Sequence, residues 1–320
     1  MGAYVLRRLS YGIGVVFGVL FLLFILFFTV TKPDDIARRA LGEKAPPEVI
    51  EQWKINHGYD RPLWPWQDWD DNLLFDHYER MLTFDFGLSD ADDSPITERI
   101  ASGVGPSLSL TVPLLVLGIL VAIPLSLLVA FFRETYIDRM GVFLCVLAMS
   151  VSMLLYIIGA QFLIGKVLRW YPISGFDSNL LMLPRFLALP LIVGVLSGVG
   201  GDVRFYRTVF LEESSRDFVR TARAKGASEA RIMTRHVLRN AMIPILTNVV
   251  LAIPFLFTGA LLLEAFFGIP GLGSITVDAI AANDFSTLRT MVFIGSLLFI
   301  LGQIATDLSY GLVDPRVRFE

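Results

Sequence analysis

Asp217-Phe-Val-Arg-Thr-Ala-Arg-Ala-Lys-Gly226-Ala-Ser-Glu-Ala-Arg-Ile-Met-Thr-Arg-His-Val-Leu-Arg-Asn-Ala-Met-Ile-Pro244 decides how this chain is read. The stretch is basic and amphipathic, and it lies between two apolar runs. It reads as a helix, a glycine break and a second helix. Ser214-Ser-Arg-Asp217 fits a capping box with Ser214 as N-cap. Gly226 suits the left-handed position just past a helix end. Ser228 can cap the next helix, with Glu229 in its first turn, and that helix runs toward Pro244. Phe218 and Ala222 share one face, and Arg216, Arg220 and Arg223 populate another. Such charged helices cannot lie in hydrocarbon, so they face water or another protein. A loop that only obeys charge bias needs no capped helices, so the segment reads as a stiff handle.

Working outward, 54% of the 320 residues are hydrophobic and 18% are charged, too apolar for an ordinary soluble domain. A membrane-crossing helix needs about 20 predominantly apolar residues. Six stretches fit: Leu9–Val30, Pro106–Phe132, Gly141–Ile164, Leu183–Gly200, Ala241–Ala265 and Leu288–Val313. The expected fold is therefore an all-α polytopic membrane protein, with six transmembrane helices and an extracytoplasmic subdomain between helices 1 and 2. The expected divisions are 1–30 (N-terminus and first helix), 31–105 (outer subdomain) and 106–320 (five-helix core carrying a hairpin at 214–240). Arg7 and Arg8 precede a first span too long for a signal peptide, so it reads as uncleaved. Cys145 is the single cysteine, which excludes an intrachain disulfide.

Six spans put both termini on one side. If that side is the cytoplasm, inner segments hold 15 basic and 9 acidic residues and outer segments 12 and 20, in the sense of the positive-inside bias. The outer loop Thr31–Gly105 carries 16 acidic and 8 basic residues. A short helix is expected over Pro46–His57, with proline in its first turn. Trp53, Trp64, Trp66 and Trp69 follow closely. They suit interface anchoring, docking of an outer partner, or both.

The central segment resembles the cytoplasmic coupling motif of ABC importer permeases, in the form found in the dipeptide/oligopeptide/nickel branch. Arg220-Thr-Ala-Arg-Ala-Lys-Gly226 departs from the generic Glu-Ala-Ala opening but fits that branch, and His236–Pro244 resembles its continuation. Gly58-Tyr-Asp-Arg-Pro62 with Leu63–Trp66, Phe84-Asp-Phe-Gly-Leu-Ser89, Glu264-Ala-Phe-Phe-Gly-Ile-Pro-Gly-Leu-Gly273 and Asp314-Pro-Arg316 resemble further family segments, in family order.

The resemblance implies the membrane subunit of an ATP-driven importer in a bacterial inner membrane, most suited to dipeptides or oligopeptides. It implies a second related permease (or a second copy), two ABC ATPase subunits, an extracytoplasmic substrate-binding protein and contact with membrane lipid. It also implies that Phe218, Arg220, Thr221, Ala222, Arg223, Lys225 and Gly226 meet the ATPase. Gly268, Pro270, Gly271 and Gly273 cannot continue a helix; they read as an outer gate or as a plain turn.

No Gly-x4-Gly-Lys-Ser/Thr loop occurs, so ATP and Mg are expected on partner subunits and no cofactor on this chain. No catalytic constellation is apparent, so the chain does not read as an enzyme. His57, His77 and His236 are too scattered for a metal site, and the basic cluster lacks the aromatic interleaving of a nucleic-acid surface. Asp307, an acid within the sixth span, opens an alternative: an ion-coupled secondary transporter. A snorkelling or helix-end role competes with that. Gly14/Gly18 and Gly194/Gly198 have the spacing of close helix packing.

Overall fold

The computed structural model describes residues 2–313 apart from 43 and 180, with side chains described for these except 2–6, 257 and 307–313. Asp314-Pro-Arg316 and the side chain of Asp307 therefore lie outside the described residues. Among the described residues the chain is helical, with one isolated bridge between Leu88 and Pro95. α1 (Gly2–Phe24) widens into a π-helical stretch at Ile25–Val30. The short helices α2 (Pro33–Leu41), α3 (Pro47–His57) and α4 (Leu73–Thr83) follow. Next come α5 (Ile96–Phe131), α6 (Tyr136–Ser150), α7 (Met153–Ala160) and α8 (Leu183–Ser214). The chain closes with α9 (Asp217–Ala224), α10 (Glu229–Arg231), α11 (Leu238–Thr258), α12 (Leu261–Phe267), α13 (Leu272–Ala282) and α14 (Phe285–Val313).

Five of the described helices are long and apolar enough to cross a bilayer: α1, α5, α8, the run Glu229–Leu256, and α14. Two bent pairs, α6 with α7 and α12 with α13, would raise the number to seven if each were one span. Two expected spans are corrected, and two others lie within longer helices. The third span is not straight over Gly141–Ile164, because the chain bends by 87° between Ser150 and Met153. There Ser150 donates back to the Val146 carbonyl at 2.8 Å while Val151 and Ser152 are extended. The fifth span does not reach Ala265: α11 ends at Gly259, which sits at φ 78°. The helix that holds the second apolar stretch begins at Ile96, ahead of Pro106. The fourth runs past Gly200 to Ser214. Pro106, Pro113, Pro124 and Pro190 are all accommodated within helices.

α5 packs along α8, α11 against α14, and α1 against α14. Gly194 lets α8 approach α5, since a Cβ there would lie 2.6 Å from a Leu114 methyl. A Cβ at Gly14 or Gly18 would meet no heavy atom within 4 Å, and one at Gly198 would meet only Asp202. Only one member of the two expected packing pairs therefore marks a close helix contact.

The short helices α2, α3 and α4 share a core with the C-terminal part of α1 and the N-terminal part of α14. Ile36, Ile50, Trp53, Tyr59 and Met81 are buried together with Leu20, Phe24, Phe28 and Phe293. Trp53 stacks on His57 at 4.0 Å and is 9% exposed. It is therefore core, not an interface anchor, because it shares the inward face of α3 with Ile50. Trp66 and Trp69 are 75% and 71% exposed and stay free for either expected role.

A polar clamp joins this module to α14. Asp284 caps that helix by accepting from the Thr287 N–H at 3.0 Å. It also accepts from Ser89 Oγ at 2.6 Å and the Asp90 N–H at 3.1 Å. Asp90 in turn accepts from the Ser286 N–H at 2.8 Å and from Tyr59 at 3.3 Å.

His77 lies in the same core, 2% exposed, with its Nε2 at 3.1 Å from the Leu20 carbonyl. That carbonyl requires an N–H, so Nε2 carries the proton. Burial first, and the Arg289 charge second, push its pKa down to about 3. The folded module thus holds a neutral imidazole, whereas the unfolded chain binds a proton below the ordinary value. Stability is full above about pH 6.5 and falls by about 1.4 kcal/mol per unit of pH as the medium is acidified toward the folded pKa. Tryptophan-detected melting of the solubilised chain should show this loss between pH 6.5 and 5. His77→Gln, which keeps an N–H donor and does not titrate, should flatten the slope.

Candidate coupling and gate sites

Around Gly226 the chain makes a tight helix–turn–helix. α9 ends at Ala224, Lys225 is its C-cap, and Gly226 follows at φ 80°. The Gly226 N–H donates to the Arg223 carbonyl at 3.0 Å and the Ala227 N–H to the Ala222 carbonyl at 3.2 Å. This is the Schellman arrangement, which needs a left-handed residue and so favours glycine. Ser228 accepts from the Arg231 N–H at 3.4 Å and starts the next helix. That helix is continuous: α10 passes through a π-helical stretch, Ile232–Val237, into α11. The second arm of the handle is thus the N-terminal end of a long apolar helix.

The expected capping box is corrected. Ser214 is the last residue of α8 and its Oγ donates to the Leu211 carbonyl at 2.8 Å. Arg216 occupies the N-cap without a side-chain bond. Ser214 still lies within α8, two residues before the N-cap position, so its oxygen is not placed to accept from the first N–H groups of α9.

α9 presents two faces. Val219 and Ala222 are buried with Phe210 of α8, Ile232, Met233 and Val237 of the π-helical stretch, Ala241 of α11, and Ala130 of α5. Phe218 packs at the edge of that cluster. Arg220, Thr221, Arg223, Lys225 and Gly226 are exposed. Arg223 forms a two-pronged pair with Glu229 at 2.6 and 3.0 Å, across the turn. The arrangement is a short helix seated on three membrane helices, with a cationic face turned outward.

At the other end of α11 the chain folds into a helical hairpin. α12 and α13 meet at 81°, with Gly268 left-handed between them at φ 65°. Its organising group is Glu264, fully buried. Oε1 accepts from Ser107 at 2.9 Å and from the Ala260 N–H at 3.0 Å; Oε2 accepts from the Gly273 N–H at 2.7 Å and the Ser274 N–H at 3.3 Å. The carboxylate therefore sits at the N-terminus of α13, where peptide dipoles favour negative charge. Ser107 accepts from the Leu272 N–H at 2.7 Å, tying the hairpin to α5. Gly271 and Gly273 are buried, and a side chain at either would strike Glu264 or the Leu261 backbone. Gly268 and Pro270 are exposed on the turn. All four expected loop residues thus belong to one knot. Glu264 and Ser107, which hold it, are not among the residues that sequence reasoning singles out. An acid in the run Gly259–Phe267 is the available signal.

The space between knot and handle is an open cavity of about 460 Å³ bounded by α5, α8 and α11. Among the described residues, no group of three or more His, Cys, Asp or Glu could hold a metal.

Residues 107–319 match the family described as binding-protein-dependent transport system inner membrane component. The whole chain is similar to the glutathione transport system permease protein of Salmonella typhimurium, at 32% identity over 320 residues and 99% of each chain. A provisionally named peptide transport system permease protein of Brucella abortus is 32% identical over 331 residues and all of each chain. The glutathione transport system permease protein of Shigella flexneri is 33% identical over 322 residues and 99% of each chain. The reading as an ion-coupled carrier through Asp307 finds no support among these relatives.

Proposed function

The chain belongs to the family of inner membrane components of binding-protein-dependent transport systems, a permease subunit of an ABC importer whose ATPase is a separate subunit; on that premise we propose that it carries dipeptides or oligopeptides and is driven through the handle at 217–244. The observation that carries this reading is the two-faced α9. Its inner face is buried against three membrane helices, so a push on its exposed cationic face is passed to the bundle rather than absorbed. The nucleotide state of the ATPase can shift the bundle only through contacts that differ between states, and this face offers them.

The assembly we propose has a second related permease, two ABC ATPase subunits that hold ATP and Mg, and an extracytoplasmic binding protein. Both termini and α9 then lie in the cytoplasm, and the Glu264 knot lies at the outer mouth as its gate. The peptide assignment rests on the Brucella relative and on glutathione, itself a peptide, in the names of the enterobacterial ones. Reconstitution tests the scheme. The purified chain alone should hydrolyse no ATP. Uptake of a radiolabelled dipeptide into proteoliposomes should require the ATPases, the second permease and the binding protein together. Vanadate-sensitive hydrolysis by the chain alone, or dipeptide uptake driven by a proton gradient without ATP, would overturn it.

A further inference from the structure

The cavity between α5, α8 and α11 is apolar along most of its wall and polar at one end. Gly259 and Ala260, next to the Glu264 knot, line one end, and Leu114 and Ala252 line the middle. At the far end stand Asp202, Tyr206 and Asn248. Asp202 and Tyr206 are one turn apart on the same face of α8. Asn248 donates its amide N–H to the Tyr206 oxygen at 3.2 Å, which fixes the amide and leaves its carbonyl oxygen as an acceptor. Asp202 is half-buried and makes no hydrogen bond or ion pair with any described residue. It is also the only charged side chain among the described residues that line the cavity.

A carboxylate on a mostly apolar wall is costly unless a cation satisfies it. This chain supplies none among its described residues. A carboxylate, an amide carbonyl and a phenolic oxygen together offer acceptors for the N–H donors of a primary ammonium group. Resting on the peptide reading above, we infer that Asp202, Tyr206 and Asn248 form a binding site for the ammonium group of a peptide substrate on its path through the bundle. The competing occupant is a cationic side chain of the second permease. The cluster's place in a recess that extends to the gate knot, with two neutral acceptors beside the acid, favours the substrate.

The test uses the complete transporter in a strain without other peptide uptake, with radiolabelled dialanine as probe. Asp202→Asn should cut dialanine uptake about tenfold while assembly and binding-protein-stimulated ATP hydrolysis persist, and Asp202→Glu should keep most of it. A second reporter does not depend on transport. A Cβ at Gly198 would lie 3.9 Å from Asp202 Oδ2 and meet nothing else, so Gly198→Cys on a Cys145→Ser background places a thiol beside the carboxylate. In the assembled transporter that thiol should react about tenfold faster with a cationic than with an anionic methanethiosulfonate, and Asp202→Asn should abolish the preference. Absence of dialanine uptake in the unmodified transporter would overturn the peptide reading and this inference with it. Unmodified uptake in Asp202→Asn would overturn this inference alone. If Asp202→Asn blocks assembly, the thiol decides. Equal rates with both reagents would mean that Asp202 is already neutralised, by a partner cation or by a proton, and would overturn the site, whereas a cationic preference would uphold it.

Discussion

Gly226→Val should leave the chain in the membrane at near-normal level and lower substrate uptake at least about tenfold. Gly226 sits at φ 80° with open space where its Cβ would go, so the substitution meets no clash. Its cost is backbone strain alone, about 1–3 kcal/mol for a non-glycine residue held left-handed and at the upper end for a β-branched one. A turn that relaxes out of this conformation loses the bonds from Gly226 to Arg223 and from Ala227 to Ala222, and the angle between α9 and α10 changes. The cationic face then no longer meets its partner squarely. ATPase co-purification should weaken, or hydrolysis should continue without uptake. Gly226→Asn is the control, because asparagine tolerates the left-handed region, and it should keep most activity. Membrane abundance, ATPase pull-down and uptake measured in one strain decide the matter. Normal pull-down with normal uptake in Gly226→Val would reduce the segment to a basic loop.

Glu264→Ala should have the largest effect at the other end. It strips the acceptor from three backbone N–H groups and from Ser107, all in a buried knot. Each buried donor left without a partner costs about 1–3 kcal/mol, so the hairpin should come apart and the chain accumulate poorly. Glu264→Gln is the informative variant. It keeps one oxygen but turns an amide N–H toward donors, so the knot loosens without collapse. If the knot is the outer gate, the assembled Glu264→Gln transporter should hydrolyse ATP severalfold faster without binding protein, and uptake should fall. An unchanged requirement for binding protein, in a variant present at normal level, would remove the gate from the hairpin.

Local chemistry makes much of the handle legible. A glycine that must be left-handed and a serine that must cap are decided by their immediate neighbours, so Gly226 and Ser228 can be placed from sequence. Ser214 cannot, because its engagement depends on how far α8 extends, and that depends on packing against α5. The bend at Val151–Ser152 hides in a mostly apolar run, where two serines lower the hydropathy too little to mark a break. Glu264 is a different failure. The principle that flags Asp307 as an acid inside a span applies to Glu264 with equal force, but a fifth span read as one continuous helix absorbs it. Ser89 and Asp284 lie 195 positions apart, and no local pattern foretells their bond. Asp202 falls in an inner loop when the fourth span is ended at Gly200, and only the full length of α8 brings it into the bundle.

The seat of α9 has a consequence for how the protein is made. Eight residues are too few to hold a helix in water by themselves. Val219 and Ala222 complete their burial against residues 232–241, which the ribosome delivers after α5 and α8 and which are fixed only once the following membrane helix is inserted. A nascent chain that stops short of that point carries the motif as sequence but not as shape. If α9 is the docking face for the motor, that face matures late in synthesis, and truncated or misinserted chains offer ATPase subunits only an incompletely seated one.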